Sequence, residues 1–442
     1  MLNFETEKSL RYNGWRFSSK IFIITFALSM VASFLLPGWL GAKQWLMSPD
    51  YWWTVNSAQW VSHLAMGTVY QANPFYTALP GFLMLLAPFV AIGDHFGLIT
   101  AYPMALPYPS MWLLVGPVCF AIGSTFVFGV DYLCETLSVG QFRRRSILAI
   151  SSPLIGVVTL VIGGHPEDLL ALGLACLAFG FLLRGNVAAG AWVLAAAILM
   201  QTWAGLLLPT FIMACPVGKR VSTAIRAIGL PTAIGGLLLA LDFRHASLDL
   251  LEQPMVNIGQ HLPWWNLAPL ISISGYFRHP LLAEVGSSSR FGAVLVALVL
   301  GILVSHSKKP ELVVGAGALS LAARGIFEVE LWPYYLAPAA LFLMIFAATS
   351  TSPKRWLAAF VLGIQFYLSA PAAYLGISYS PWLVLALLVV TSLGSFTLAV
   401  ESDFIKSNVT SLKSVFQEVS ITELRRKLPR CESSGDSFID LE

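Results

Sequence analysis

The chain has 442 residues, of which 57% are hydrophobic and 11% charged, and its mean hydropathy is +0.74. A soluble domain carries about a quarter charged residues, so this composition excludes a conventional soluble enzyme and predicts an all-α, polytopic transmembrane helical bundle of about 11–13 helices, some short or re-entrant. The net charge of +3 is too small to direct the chain to nucleic acid, and Cys119, Cys134, Cys176, Cys215 and Cys431 form neither an extracellular disulfide framework nor a CxxC metal site.

In chain order, residues 1–20 carry Lys8, Arg11, Arg16 and Lys20 and are expected in the cytoplasm. Ile21 to Ala42 is longer than the core of a signal peptide and reads as an uncleaved first helix. Residues 43–75 then form the first outer loop, in which Asp50 stands among Trp45, Tyr51, Trp52, Trp53 and Trp60. Asn56, Gln59 and His63 recur at helical spacing, so a short surface helix with one wet face and one apolar face lying on lipid is expected there.

Further apolar runs are Tyr76 to Ile92, Met111 to Leu133, Ile147 to Ile162, Leu169 to Leu183, Val187 to Ala214 and Ala224 to Leu241. Beyond them come Phe291 to Val304, Leu312 to Ala323, Leu331 to Ala348, Trp356 to Leu375 and Trp382 to Val400. The membrane bundle thus occupies residues 21–400, interrupted by a long outer loop at 242–290, and residues 401–442 form a charged cytoplasmic tail. Arg143 to Arg145, Arg184, Lys219 with Arg220, Lys308 with Lys309, and Lys354 with Arg355 mark the inner side. The stretch between Arg184 and Lys219 is too long for one span and predicts a hairpin of two short helices breaking at Gln201, Thr202 and Trp203. Counting the runs near residues 76 and 111 as two crossings would put Arg143 to Arg145 outside. One of those runs is therefore re-entrant, or the basic pattern fails there.

Ionisable residues other than these topogenic bases gather in the outward segments. Asp50 is either a helix N-cap or a general base towards a hydroxyl. His165, Glu167 and Asp168 open a helix, where two acids complement the helix dipole or serve a binding site. No second histidine stands at ligand spacing, so no metal or other cofactor is assigned, although the triplet leaves a divalent ion open. Arg324 either pairs with Glu328 on a helix end or grips an anionic leaving group, and Glu330 precedes Trp332, Tyr334 and Tyr335. The long outer loop adds Arg244, His245, His261, Trp264, Trp265, Arg278, His279 and Arg290, mostly as solvated residues, with one or two bases available to a phosphate.

The text DYWW…GTVY…NPFYTALP, then GHPEDLLALGLA, LLRGNVAAGAWVLAAAILMQTWA and FEVELWPYYLAPA, resembles the GT-C superfamily of membrane glycosyltransferases. It is most like the GT87-like (DUF2029) polyprenyl-phosphate-mannose-dependent mannosyltransferases. Asp50 occupies the place of that superfamily's catalytic aspartate. The resemblance implies a sugar, mannose or another hexose or pentose, moved from a polyprenyl-phosphate donor to a lipid or cell-envelope glycan acceptor on the outer face of the plasma membrane. Both termini would be cytoplasmic. It also implies substrate binding by His165, Glu167, Asp168, Gln201, Arg290, Arg324, Glu328, Glu330 and Tyr334. The family turn usually reads G-Q-x-N where this chain has Gly164, His165, Pro166 and Glu167, and Lys-Pro where it has Gln201 and Thr202. Two other readings stand beside this one: a transporter or flippase of a polar lipid or solute, and an inactive GT-C-like scaffold.

Overall fold

The computed structural model describes residues 14–39, 49–72, 76, 78–98, 109–247, 249–250, 277–278, 290–305, 307, 309–327, 330–331 and 333–350. The expected runs at 356–375 and 382–400, the charged tail, and His261, Trp264, Trp265, His279 and Glu328 lie outside the described residues.

The architecture is an all-α bundle. Its helices are α1 (Trp15–Trp39), α2 (Pro49–Ser62), α3 (Val69–Ala72), α4 (Gly81–His95), α5 (Pro109–Ser124), α6 (Phe126–Thr136) and α7 (Gln141–Ser151). After α7 the chain continues as a π-helix over Ser152–Gly163, followed by α8 (Pro166–Leu183), α9 (Val187–Met200), α10 (Leu208–Ala214), α11 (Arg220–Leu241) and α12 (Phe243–Ser247). The series closes with α13 (Arg290–Val304), α14 (Pro310–Phe327) and α15 (Ala337–Ala348). Among the described residues the strands form a two-residue antiparallel pair, β1 (Phe277–Arg278) with β2 (Glu330–Leu331), which ties the long loop to the turn before α15.

Among the described residues, five stretches are long and apolar enough to cross a bilayer: Trp15–Ser33, Leu114–Thr136, Gln141–Val161, Pro166–Leu183 and Val217–Leu241. That marks the chain as a membrane protein. The outward faces of α11 and α13 expose Val221, Ile225, Leu237, Phe291, Leu295 and Val299, side chains suited to lipid and not to water. On its inner face α1 buries Ser18, Thr25, Ser29 and Ser33, and Thr25 hydrogen-bonds Ser152 of the π-helix. Small hydroxyl residues on one face allow such close helix contact.

The predicted hairpin forms. α9 ends at Met200, Gln201 is extended, and a 3₁₀ turn over Thr202–Leu207 leads into α10. Within residues 76–145, α4 packs along α2 and against α5 and α9. At its start Gly81 lies so close to Leu199, near the hairpin tip, that an added Cβ would sit 2.6 Å from the Leu199 carbonyl oxygen. At its other end Asp94 accepts from Gln59 Nε2 at 2.9 Å and faces His63 Nε2 at 2.8 Å, both at the end of α2. The segment after α2 touches Leu241 at the tip of α11. α2 and α4 therefore lie side by side over one end of the bundle. Hence the apolar face of α2, with Val55, Ala58 and Val61, is buried against protein and not laid on lipid as its spacing predicts. Asn56, Gln59 and His63 do form its wetter face.

At the opposite end the basic residues converge. Arg144 pairs with the fully buried Asp131 and, at 3.0 Å, with Glu135 Oε2, while Arg184 reaches Glu135 Oε1 at 3.2 Å. Arg184 also donates to Thr136 Oγ1 at 2.8 Å and covers the Tyr132 ring at 4.2 Å. Arg143 donates to the carbonyl oxygens of Ala348, at 3.0 Å, and Ser350 at the end of α15. Arg143, Arg144 and Arg184 thus share one end of the bundle.

Between the two ends, α6 and α8 cross at glycines. A Cβ on Gly129 would run into the Gly173 carbonyl oxygen, and one on Gly173 would lie 2.6 Å from Phe126 Cα. Gly129→Ala is predicted to cost about 1–3 kcal/mol by overpacking. Gly229→Ala, on α11 where nothing lies within 4 Å, should cost nothing. Thermal unfolding of the two variants in detergent checks this.

Candidate functional site

The site is built on the reversal between the π-helix and α8. The π-helix ends when the Gly164 and His165 amides both bond the Thr159 carbonyl, the latter at 3.1 Å. Gly164 has φ +69°, a left-handed conformation that glycine adopts without a Cβ penalty. His165 follows as the cap of α8, Pro166 enters its first turn, and Glu167 and Asp168 face the positive end of the helix dipole.

Both carboxylates are buried, Glu167 at 2% exposure and Asp168 at 6%. Buried charge is costly unless it is paired and hydrogen-bonded, and each acid has found a donor. Glu167 Oε1 lies 2.7 Å from His165 Nδ1. Asp168 Oδ1 accepts the Trp203 indole N–H at 2.6 Å. The 3₁₀ turn after Gln201 brings Trp203 there, so the polar break in the hairpin acts through the indole behind it. Across from these groups the Tyr334 ring stacks on His165 with centroids 4.2 Å apart, and Tyr335 stands edge-on to Tyr334 at 4.9 Å. The Arg324 guanidinium lies over Tyr335, 3.8 Å from its centroid, within electrostatic reach of Asp168.

α2 joins this cluster through Tyr51. The ring is 2% exposed, and its hydroxyl donates to the Val115 carbonyl of α5 at 2.9 Å. Burial pushes the phenol well above its ordinary pKa, with Cys119 and then Glu167 adding to the shift. The same holds for Tyr76, raised by burial, then by Tyr70 and Glu167. Tyr51 is the residue after Asp50, so the first turn of α2 is fixed within electrostatic reach of Glu167.

Of the residues singled out from sequence, His165, Glu167, Asp168, Arg324 and Tyr334 come together, and Gln201 is half-buried at the hairpin tip next to them. Asp50 is the second residue of α2 and Glu330 belongs to β2; the side chains of both, with Glu328, lie outside the described residues. Arg290 opens α13 at the same end of the bundle, where a Cβ on Gly292 would meet the Phe327 ring at the end of α14. Sequence reasoning missed three participants. Trp203 was visible only as part of the break, although a buried indole N–H requires an acceptor. Tyr51 read as an interfacial aromatic, and Asp94 had no local signal. Among the described residues no group of three or more His, Cys, Asp or Glu is arranged to hold a metal ion.

A second acidic pair flanks α12, which packs on α11 and α3. Asp242 bonds His245 Nδ1 at 2.8 Å, so His245 is not simply solvated. Asp249 is 2% exposed, and burial, then Asp242, raises its carboxyl to about 7.

No protein-family model, curated protein or solved structure matches this chain.

Two predictions follow from this geometry. Trp203→Phe keeps the packing but strips the donor from Asp168, and is predicted to cost about 1–3 kcal/mol in thermal unfolding. Asp249 is protonated in the fold where an unfolded aspartate is ionised, so stability from this group is full below about pH 4 and falls as pH rises to about 7. Asp249→Asn should remove that slope when unfolding temperatures are compared from pH 4.5 to pH 8.

Proposed function

We propose that the chain is a membrane glycosyltransferase of GT-C type. It moves a sugar, mannose or another hexose or pentose, from a polyprenyl phosphate to a lipid or cell-envelope glycan. The site works on the outer face of the cell membrane, with the Arg143 to Arg184 end in the cytoplasm as the positive-inside rule requires.

The observation that carries this reading is the burial of Tyr51, which donates to the Val115 carbonyl and lies within electrostatic reach of Glu167, so that the start of α2 belongs to the same end of the bundle as the His165–Asp168 cluster. The reaction is a single displacement. Asp50 takes the proton of the acceptor hydroxyl as its oxygen bonds to the anomeric carbon, and the bond from that carbon to the phosphate oxygen breaks. The polyprenyl phosphate leaves with both electrons of that bond. Arg324, already oriented on Tyr335, or Arg290 at the same end offers a planar cation to the departing phosphate. Transport is less well supported, because transporter sites lie near the bilayer midplane between related halves. Here the ionisable residues of the site gather at one end.

Transfer of labelled sugar from polyprenyl phosphates in membrane vesicles tests the reading. Asp50→Asn at equal expression is predicted to lower the rate by about 10²–10⁴-fold, while Gly229→Ala, on the open side of α11, retains transfer. Equal rates in wild type and Asp50→Asn would remove Asp50 as the base. No transfer from any donor would favour the transporter or scaffold readings.

A further inference from the structure

Glu167 keeps one oxygen without a partner. Oε1 is taken by His165, but Oε2 is buried with no hydrogen-bond donor. The donors around it are committed elsewhere. Tyr51 gives its hydroxyl to the Val115 carbonyl at 2.9 Å, and Tyr76 gives its own to the Leu79 carbonyl at 3.1 Å. The Trp203 N–H goes to Asp168. A buried acceptor without a donor is destabilising, and the great majority of buried polar atoms in folded proteins are satisfied. An orphan in the middle of a cluster whose other members are paired points to a donor that arrives with a ligand.

We propose that Glu167 Oε2 accepts a hydrogen bond from a hydroxyl group of the sugar substrate, so that Glu167 is a specificity-determining residue for the transfer. This rests on the glycosyltransferase reading. A hydroxyl fits better than a cation, because Glu167 already faces His165 and Asp168 has Arg324 within electrostatic reach. A neutral donor therefore fills the lone pair without adding charge. The Tyr334 ring, stacked on His165, backs the imidazole that fixes the carboxylate's orientation. The hydroxyl belongs either to the transferred sugar or to the acceptor glycan, and both present the same chemistry to Oε2.

The test is a set of deoxy analogues, made separately in the donor sugar and in the acceptor, with kcat/KM measured in proteoliposomes for wild type, Glu167→Ala and Glu167→Gln. In the wild type, removal of one particular hydroxyl should lower kcat/KM by about 10²-fold or more, since the deoxy substrate leaves the acceptor unpaired. Glu167→Ala should be slower overall yet treat the intact and deoxy substrates within about threefold of each other, a collapse that a merely structural defect would not produce. Glu167→Gln, which retains an acceptor oxygen and the side chain's shape, serves if the alanine variant does not fold, and should keep part of the discrimination. Sensitivity to a deoxy donor assigns the contact to the transferred sugar, and sensitivity to a deoxy acceptor assigns it to the glycan. If the wild type ignores every deoxy position, or if both variants keep full discrimination, the assignment is overturned while sugar transfer stands. Failure of the wild type to transfer any sugar would overturn the transfer reading and this inference with it.

Discussion

Two carboxylates buried at the start of one helix set the terms for the rest of this molecule. Glu167 and Asp168 stand where the dipole of α8 favours negative charge, but dipole stabilisation of about 0.3–1 kcal/mol does not offset the burial of two acids. Specific donors must supply the remainder, and each comes from a different part of the chain or from the turn itself. The indole of Trp203 is delivered by a break in the α9–α10 hairpin, and the imidazole of His165 by a left-handed glycine at the end of a π-helix. Tyr334 then closes over the imidazole from the far end of the sequence. Wide π turns are rare and are frequent at functional sites, and here the π-helix ends at the residue before Gly164.

The two ends of the bundle are held by different polar contacts. One end carries an ion-pair network of Asp131, Glu135, Arg144 and Arg184 that fixes α6, α7 and α8 to one another. The other carries α2 and α4 lying side by side, with Asp94 clamped by Gln59 and His63. Such a layer gives the first turn of α2 a rigid support. Tyr51 in that turn is itself buried and donates its hydroxyl to the Val115 carbonyl of α5.

Much of this was legible in the amino-acid order. Apolar runs predict the bundle and its hairpin at Gln201, because those features depend on local period, but the gathering of acids at one end holds only in part, since Asp131 and Glu135 pair with Arg144 and Arg184 at the other. The HPED turn also declared itself, since acids at the start of an apolar helix are costly without a reason. What stayed hidden depends on contacts between distant segments. Whether the run at 76–92 crosses or re-enters stayed open in the sequence, because its apolar surface is the same whether lipid or α2 covers it, and the contacts of Asp94 with Gln59 and His63 join distant segments. Trp203 and Tyr51 look like any interfacial aromatic until their N–H and O–H partners are known. The reading of Arg324 as half of a helical ion pair or as an anion clamp could not foresee the Tyr335 ring beneath it.

The most direct test of the account is photoaffinity labelling of the protein in its membrane with a polyprenyl-phosphate sugar carrying a photoreactive group near the sugar, followed by peptide mapping. The account predicts label on residues 49–62 and 163–168, lost when unlabelled donor competes. Label confined to the end bearing Arg143 and Arg184, or spread without competition over the lipid-facing sides of α11 and α13, would contradict it.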